Sequence, residues 1–196
     1  MKSHGYFIAI LFCFFSLSLH AQDSLQNHIK KHRIAFYGGV GANYYFNNMA
    51  IAKNHVNELN YSFVGRLMWE PEYFLSLGLE SGYYQLYTIN YSSETLGSGR
   101  IKNSVIPIQL VASMKFLKNY YANLSMGQSY LINETTNSTS GNSKAGTFSL
   151  ADFGITLGYK HLFKSRISIG AELKFYSSKK YDDNNLALVF VTGYRF

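Results

Sequence analysis

Five charged residues lie in segments that otherwise contain mostly apolar and small side chains: Arg66, Glu80, Asp152, Glu172 and Lys174. Such groups could line a narrow path for ions or bind a small ligand. They could also pair with one another, because a buried charge is stable only beside an opposite charge and hydrogen-bonding partners. We expect the second arrangement, in which paired charges fill the inside of the fold, and keep a narrow channel for ions or small solutes as the alternative.

Support for catalytic or metal chemistry is weak. The histidines beyond the N-terminal segment are His28, His32, His55 and His161. Their spacing matches no metal site, and no Ser-His-Asp arrangement can be assembled around them. We therefore predict that the protein is not an enzyme, and that it has no catalytic residues, no cofactor and no metal.

The N-terminal segment predicts export. It reads MKSHGYFIAILFCFFSLSLHAQ, with a basic start, an apolar stretch from Gly5 to Leu19 and a small residue before the expected cleavage point. This is the layout of a secretory signal peptide, and the apolar stretch is shorter than the ~20 residues of a membrane-spanning helix. We assign residues 1–21 to a signal peptide and 22–32 to an N-terminal arm. The single cysteine, Cys13, belongs to the signal, so the exported chain must be stable without disulfides.

Eight segments between residues 33 and 196 alternate in polarity with period two, the pattern of half-buried β-strands. They begin at Arg33, Leu59, Tyr73, Ser104, Tyr120, Ala151, Arg166 and Leu186. Each has about ten residues or more, which suits tilted strands crossing a bilayer. The connections alternate between long, such as 88–103 and 133–147, and short, such as 117–119. Long loops on one side and tight turns on the other are typical of transmembrane barrels.

One face of every segment is apolar, and the other carries small residues together with the five charges, Lys115 and Arg195. The interior of an eight-stranded barrel is only just wide enough for packed side chains. The small and charged face therefore belongs inside, and the apolar face belongs against lipid, where a Lys or Arg would cost about 2–4 kcal/mol. We predict an all-β, eight-stranded, antiparallel, up-and-down transmembrane β-barrel over residues 33–196.

Aromatic residues gather near the predicted strand ends, as in the interfacial girdles of membrane barrels. We expect Tyr45, Tyr84 and Tyr176 to belong to the girdle on the long-loop side. On the short-turn side we expect Tyr121 and Phe196, among others, in the second girdle.

The positive charge of the chain, +7 in total, also has a defined place. Most of it lies on the short-turn side, at Lys30, Lys31, Arg33, Lys115, Lys118, Lys160, Lys164, Arg166 and Arg195, against Asp23, Glu70 and Glu72. Export argues against nucleic acid as a partner. We expect this basic rim to face anionic phospholipid headgroups.

The sequence ends in the alternating segment LALVFVTGYRF. This ending and the plan of eight segments resemble small outer-membrane barrels of the OmpX/OmpA type, and SVIPIQLVASMKF from Ser104 resembles the Ile-Pro strand of the PorT-like outer-membrane β-barrel family common in Bacteroidetes. The resemblance implies the outer membrane of a Gram-negative bacterium. It also implies that Phe190, Tyr194 and Phe196 form the signal read by the barrel-assembly machinery during insertion. An even number of strands predicts that both termini are periplasmic.

These inferences give one expected function with two alternatives. We expect a monomeric barrel that acts as an envelope structural or interaction protein, or as an export helper, through its loops or its periplasmic rim. Its partners would be outer-membrane lipid, the barrel-assembly machinery and an envelope protein. The alternatives are the narrow channel and, with less support, an outer-membrane enzyme that modifies lipid A. For the polar stretch NETTNSTSGNSKAGT, residues 133–147, we expect a mobile, solvated loop.

Overall fold

A computed structural model describes residues 32–46, 55–71, 75–93, 97–138, 141–178 and 183–196. The predicted signal peptide (1–21) and all of the predicted arm (22–32) except its last residue lie outside these ranges, so both assignments stay predictions. Within the described ranges, none of the helical structure is long and apolar enough to cross a membrane.

The described residues form nine strands. They are β1 (Arg33–Phe46), β2 (Val56–Asn57), β3 (Leu59–Glu70), β4 (Leu75–Ser93), β5 (Gly97–Lys115), β6 (Tyr120–Asn137), β7 (Gly141–Leu162), β8 (Ile167–Ser178) and β9 (Asp183–Arg195). Each long strand pairs antiparallel with the next one in the chain, and β9 pairs with β1 to close the ring. The short β2 pairs only with β4, at the level of Thr88 and Ile89. The predicted eight-stranded antiparallel barrel is thus confirmed, with β2 as an addition.

The closing pair extends to the last residue of the sequence. Phe36 lies opposite Tyr194, and Val40 lies opposite Phe190. The main-chain N–H of Phe196 donates to the carbonyl of Ile34 over 2.9 Å. Every backbone N–H and C=O group of a strand in lipid needs a hydrogen-bonding partner. The pairing of β1 with β9 provides these partners, so neither strand has an open edge in the barrel wall.

The apolar face of the alternating pattern points outward, as predicted. Leu77, Leu110, Leu124 and Phe153 are among many large apolar side chains that are exposed on the outer surface. The charged and small residues of the same strands point inward, where most of them are buried. The period-two pattern therefore identified the two faces of the barrel wall correctly.

Four tyrosines assigned to the interfacial girdles lie inside the barrel instead: Tyr45, Tyr84, Tyr121 and Tyr176 are all buried. The reason is alternation along a strand. Each directly follows an aromatic residue that faces outward, as in the pairs Tyr44–Tyr45 and Tyr120–Tyr121, so it must face inward. The interior therefore contains several large side chains, whereas the sequence suggested that small ones would fill it. Glycine provides the room in one case, because a Cβ on Gly158 would collide with the Tyr121 ring.

Two of the predicted long loops are β-hairpins. Residues 88–103 continue β4 to Ser93 and begin β5 at Gly97, and residues 133–147 continue β6 to Asn137 and begin β7 at Gly141. An ion pair of 2.7 Å between Lys144 and Glu134 joins the two arms of the second hairpin. Gly141 has a φ of 83°, a value that glycine adopts readily, where the chain reverses. The expectation of a loop over 133–147 was therefore wrong for residues 133–137 and 141–147, which are in strands.

The two hairpins form a sheet that rises above one side of the barrel, which we call the extended sheet (the described residues 89–93, 97–102, 133–138 and 141–148). On β7, pairing with β8 begins only at Asp152, opposite Ser178. Residues 141–146 of β7 pair with β6 on one side, and among the described strands none pairs with their other side. The extended sheet therefore has an open edge.

Candidate functional site

Four of the five predicted interior charges form a cluster halfway along the barrel, which we call the central cluster (Arg66, Glu80, Glu172 and Lys174). The guanidinium of Arg66 contacts both oxygens of Glu172 at 2.8 Å and Oε2 of Glu80 at 2.6 Å. Lys174 Nζ lies 2.5 Å from Glu80 and 3.8 Å from Glu172. All four side chains are buried. Two cations balance two carboxylates, so the cluster is neutral as a unit.

The central cluster connects opposite walls of the barrel. In the closed ring, β4 and β8 lie four strands apart, which is half the circumference. The ion pair between Glu80 on β4 and Lys174 on β8 therefore spans the lumen. Tyr121 on β6 adds a short hydrogen bond to Glu172. At the level of the central cluster, side chains in direct contact with one another extend across the lumen of the barrel.

The fifth predicted charge, Asp152, lies inside the barrel apart from the central cluster. Its carboxylate accepts hydrogen bonds from Ser149 at 2.6 Å, from Tyr176 at 2.7 Å and from Ser129. No described cation forms an ion pair with it. The expectation that the interior charges pair with one another therefore describes four of the five residues, while hydroxyl groups surround the fifth.

An apolar layer lies on the long-loop side of the central cluster. It consists of Tyr45, Val64, Tyr84, Leu86, Val105, Leu131, Tyr176, Ala187, Val189 and Val191. The rings of Tyr84 on β4 and Tyr176 on β8 stack across the lumen with centroids 5.9 Å apart. This layer contains no charged side chain and would oppose the passage of hydrated ions.

A second charged cluster, which we call the mouth cluster, closes the short-turn end around Glu70. Its carboxylate contacts Lys160 at 3.0 Å, Lys115 at 3.9 Å and Arg195. The hydroxyl of Tyr37 donates to Glu70 over 2.6 Å. Lys160 on β7 reaches Glu70 on β3, again half the ring away. One carboxylate faces three cations, so the mouth cluster is positive.

Sequence reasoning missed the mouth cluster: it placed Lys115 and Arg195 on the inward face, but it assigned them, with Glu70 and Lys160, to a rim in contact with headgroups. The alternation of inward and outward side chains along each strand could have corrected this assignment. Glu70 lies two residues after Met68 and four after Arg66, so it shares their inward face. Lys160 likewise follows inward-facing Gly158 by two residues.

The three residues of the predicted assembly signal face outward. Phe190 and Phe196 expose 66% and 65% of their surface, and Tyr194 is also exposed. The rings of Tyr194 and Phe196 meet edge to face at 5.1 Å on the outside of β9. The three residues therefore form an aromatic surface on the outside of β9. That the barrel-assembly machinery recognises this surface stays a prediction.

The histidines are separate from the charged clusters. His32 stacks on Trp69 at 5.5 Å, and His161 meets the ring of Phe163 at 4.7 Å. His55 is exposed at the start of the segment leading into β2, and His28 lies outside the described residues. Across the described ranges, no group of three or more His, Cys, Asp or Glu side chains is placed to hold a metal ion.

Comparison with known proteins gives similarity of structure only. No family model matches the chain, and neither does a curated protein at a significant level. Among solved structures, Ail, the attachment invasion locus protein of Yersinia pestis, aligns with a TM-score of 0.54 over 85% of this chain and 99% of its own, at 12% identity. Neisserial surface protein A aligns with a TM-score of 0.50 over 83% of this chain and 97% of its own, at 10% identity. The chain thus has the fold of small outer-membrane β-barrels.

Proposed function

We propose that this protein is a monomeric integral barrel of the outer membrane of a Gram-negative bacterium, related to the PorT-like barrels, which binds an envelope partner through the extended sheet. The observation that carries the proposal is the open edge of β7 above the barrel. An unpaired strand edge presents a row of N–H and C=O groups, which an extended segment of another protein can join as an additional strand.

The outer surface supports a membrane location. Large apolar side chains cover it from Trp69 and Tyr120 near the short turns to Tyr44 and Phe148 towards the long hairpins. A soluble monomer rarely exposes a continuous apolar surface of this extent. Lipid is the solvent that would make such a surface stable.

The proposed orientation follows from the two ends. Tight turns such as 117–119 are typical of the periplasmic side, and long hairpins are typical of the cell surface. The first described strand begins and the last one ends on the short-turn side, where Ala35 pairs with Arg195. The termini of the barrel would then be periplasmic, and the extended sheet would project from the cell.

The layered interior supports a filled barrel rather than a channel. Contacts cross the lumen in the apolar layer, the central cluster and the mouth cluster. Planar-bilayer recordings of the purified protein should therefore show no reproducible single-channel steps. Regular steps would support the alternative channel function.

Catalysis forms no part of the proposal. The buried carboxylates face cations or hydroxyl groups within the barrel, away from the outer surface where lipid A lies. Lipid A from cells lacking the protein should accordingly have an unchanged mass spectrum. A mass shift that the wild-type gene restores would favour the lipid-modifying alternative.

Site-specific photo-crosslinking in living cells tests the interaction surface. A photoreactive amino acid would replace Ser143 or Ala145 on the open edge, with Lys118 on a short turn and Leu124 on the lipid-facing wall as matched controls. We expect a discrete protein adduct from the edge positions and none from Leu124. An adduct from Lys118 alone would contradict binding through the extended sheet and favour an export role at the periplasmic rim.

A further inference from the structure

The short-turn end contains a cleft of about 460 Å³ beside the barrel mouth. Three segments that are distant in sequence line it: the start of β1 at Arg33, the β7–β8 turn over residues 162–166, and the end of β9 at Arg195 and Phe196. A cleft of this size lies within the range of small-ligand sites.

The cleft carries an excess of positive charge. Within the described parts of the chain, no carboxylate forms an ion pair with Arg33, Lys164 or Arg166. Arg195 contacts Glu70 through one terminal nitrogen, while its buried Nε has no hydrogen-bond partner among the described residues. An α-carboxylate on Phe196 would offset only one of these four charges. The arrangement therefore favours a ligand with negative charge.

Glu70 cannot neutralise the cleft, because it already faces Lys160, Lys115 and Arg195 within the mouth cluster. The positive charge is thus continuous from the cleft into the barrel end. Glu72 lies outside the described residues.

Backbone hydrogen bonds fix the position of the cationic residues. The N–H of Phe163 donates to Ile167 over 2.8 Å, and the N–H of Arg166 donates to Phe163 over 3.1 Å. Arg166 has a φ of 66°, in the left-handed region that few residues other than glycine adopt. The N–H of Arg195 donates to the carbonyl of Arg166 over 3.0 Å, which ties the turn to β9. The turn is therefore a defined structure and places Arg166 next to the end of β9.

The same cleft also has apolar walls. Leu162, Phe163 and Phe196 line it, and all three are exposed. A cationic pocket next to apolar side chains suits a ligand that has an anionic group and hydrocarbon chains in the same molecule. Arginine binds phosphate oxygens with paired, charge-assisted hydrogen bonds.

We propose that this cleft binds the phosphate of an anionic phospholipid, with Arg33, Arg166 and Arg195 on the phosphate oxygens and Phe163 and Phe196 along the acyl chains. The inference rests on the proposed orientation, which places the short-turn end at the inner-leaflet surface. It is independent of any partner of the extended sheet.

Binding can be measured on the full-length protein in maltoside micelles, which contain no phosphate. Short-chain phosphatidylglycerol would be titrated and its ³¹P resonance followed, with inorganic phosphate as a second probe. Arg166→Gly removes a charge while keeping a residue that accepts the positive φ, and it would be combined with Arg33→Gln. Arg100→Gln, in the extended sheet, is the matched control for loss of positive charge.

We expect saturable lipid binding that weakens at least about tenfold in Arg33→Gln/Arg166→Gly and is unchanged in Arg100→Gln. Inorganic phosphate should bind far more weakly than the lipid. Equal affinity for both probes would overturn the assignment to a lipid, and unchanged lipid affinity in the double variant would overturn the site itself. Photo-crosslinking from the extended sheet reports on a different surface, so either proposal can fail alone.

Discussion

Replacing Arg66 by methionine should strongly destabilise the barrel, because Arg66 holds two buried carboxylates. The substitution leaves Glu80 and Glu172 facing Lys174 alone, and Lys174 Nζ lies 2.5 Å from the first but 3.8 Å from the second. The central cluster would then carry one uncompensated negative charge. Removing one partner from a buried ionic cluster costs about 3–5 kcal/mol, so we expect a loss of that size in the free energy of unfolding.

A second substitution distinguishes the charge effect from a general loss of packing. Glu172→Gln alone leaves two cations facing Glu80, with the opposite imbalance. Arg66→Met/Glu172→Gln restores neutrality, because the pair between Lys174 and Glu80 remains. The double variant should therefore lose less stability than the sum of the two single variants, by about 1–3 kcal/mol.

Urea unfolding in phospholipid vesicles, followed through the emission of Trp69 and through the gel mobility of folded and heated samples, would measure these free energies. Glu134→Gln in the extended sheet is the matched control, since its exposed ion pair with Lys144 acts only on the hairpin and should leave the free energy of unfolding of the barrel unchanged. A loss below about 1 kcal/mol for Arg66→Met, or strictly additive losses in the double variant, would refute a neutral buried cluster.

Two other predictions concern the wall and the extended sheet. Leu110→Arg places a cation on the exposed apolar face of β5, within its part in the barrel wall, and should cost about 2–4 kcal/mol in vesicles, whereas Ala145→Arg in the extended sheet should leave the urea midpoint unchanged. If both variants unfold at the wild-type midpoint, the outer wall is not in lipid. The hydrogen bond from Lys144 lowers the pKa of Glu134 below its ordinary value of 4.5. The stabilisation of the hairpin by this pair should be fully present above that value and be lost as the pH falls through the lowered pKa. Hydrogen exchange of residues 133–145, corrected for the intrinsic pH dependence of amide exchange, would show it as a loss of protection in acid for wild type but not for Glu134→Gln, and an equal loss of protection in both would contradict it.

The strands that lie wholly within the wall could be predicted from the sequence almost to the residue. The segments beginning at Arg33 and Leu59 coincide with β1 and β3, because one face meets lipid and the other meets the interior along their whole length. The ends of β4 to β7 could not be found in this way. The extended sheet has solvent on both faces, so its residues carry no alternation of polarity, and the stretch over 133–147 resembled a loop.

The candidate sites were partly accessible from the sequence. The charges of the central cluster were identified because they interrupt otherwise uncharged strands, and their inward direction followed from the period of two. The pairing of each charge was not accessible, because it depends on which strands lie opposite one another in the closed ring. Asp152 shows this limit, since its partners are three hydroxyl groups.

The depth of two tryptophan positions in brominated lipid tests the central claim most directly, namely that the apolar face of a closed barrel is the face in lipid. Trp69 is the single tryptophan and lies on the outer surface near the short turns. Its emission should be quenched best by bromines near the headgroup. In Trp69→Phe/Leu110→Trp, quenching should be strongest with bromines deep in the acyl chains. Unquenched emission from both proteins, together with a compact folded state in buffer without detergent, would contradict the account.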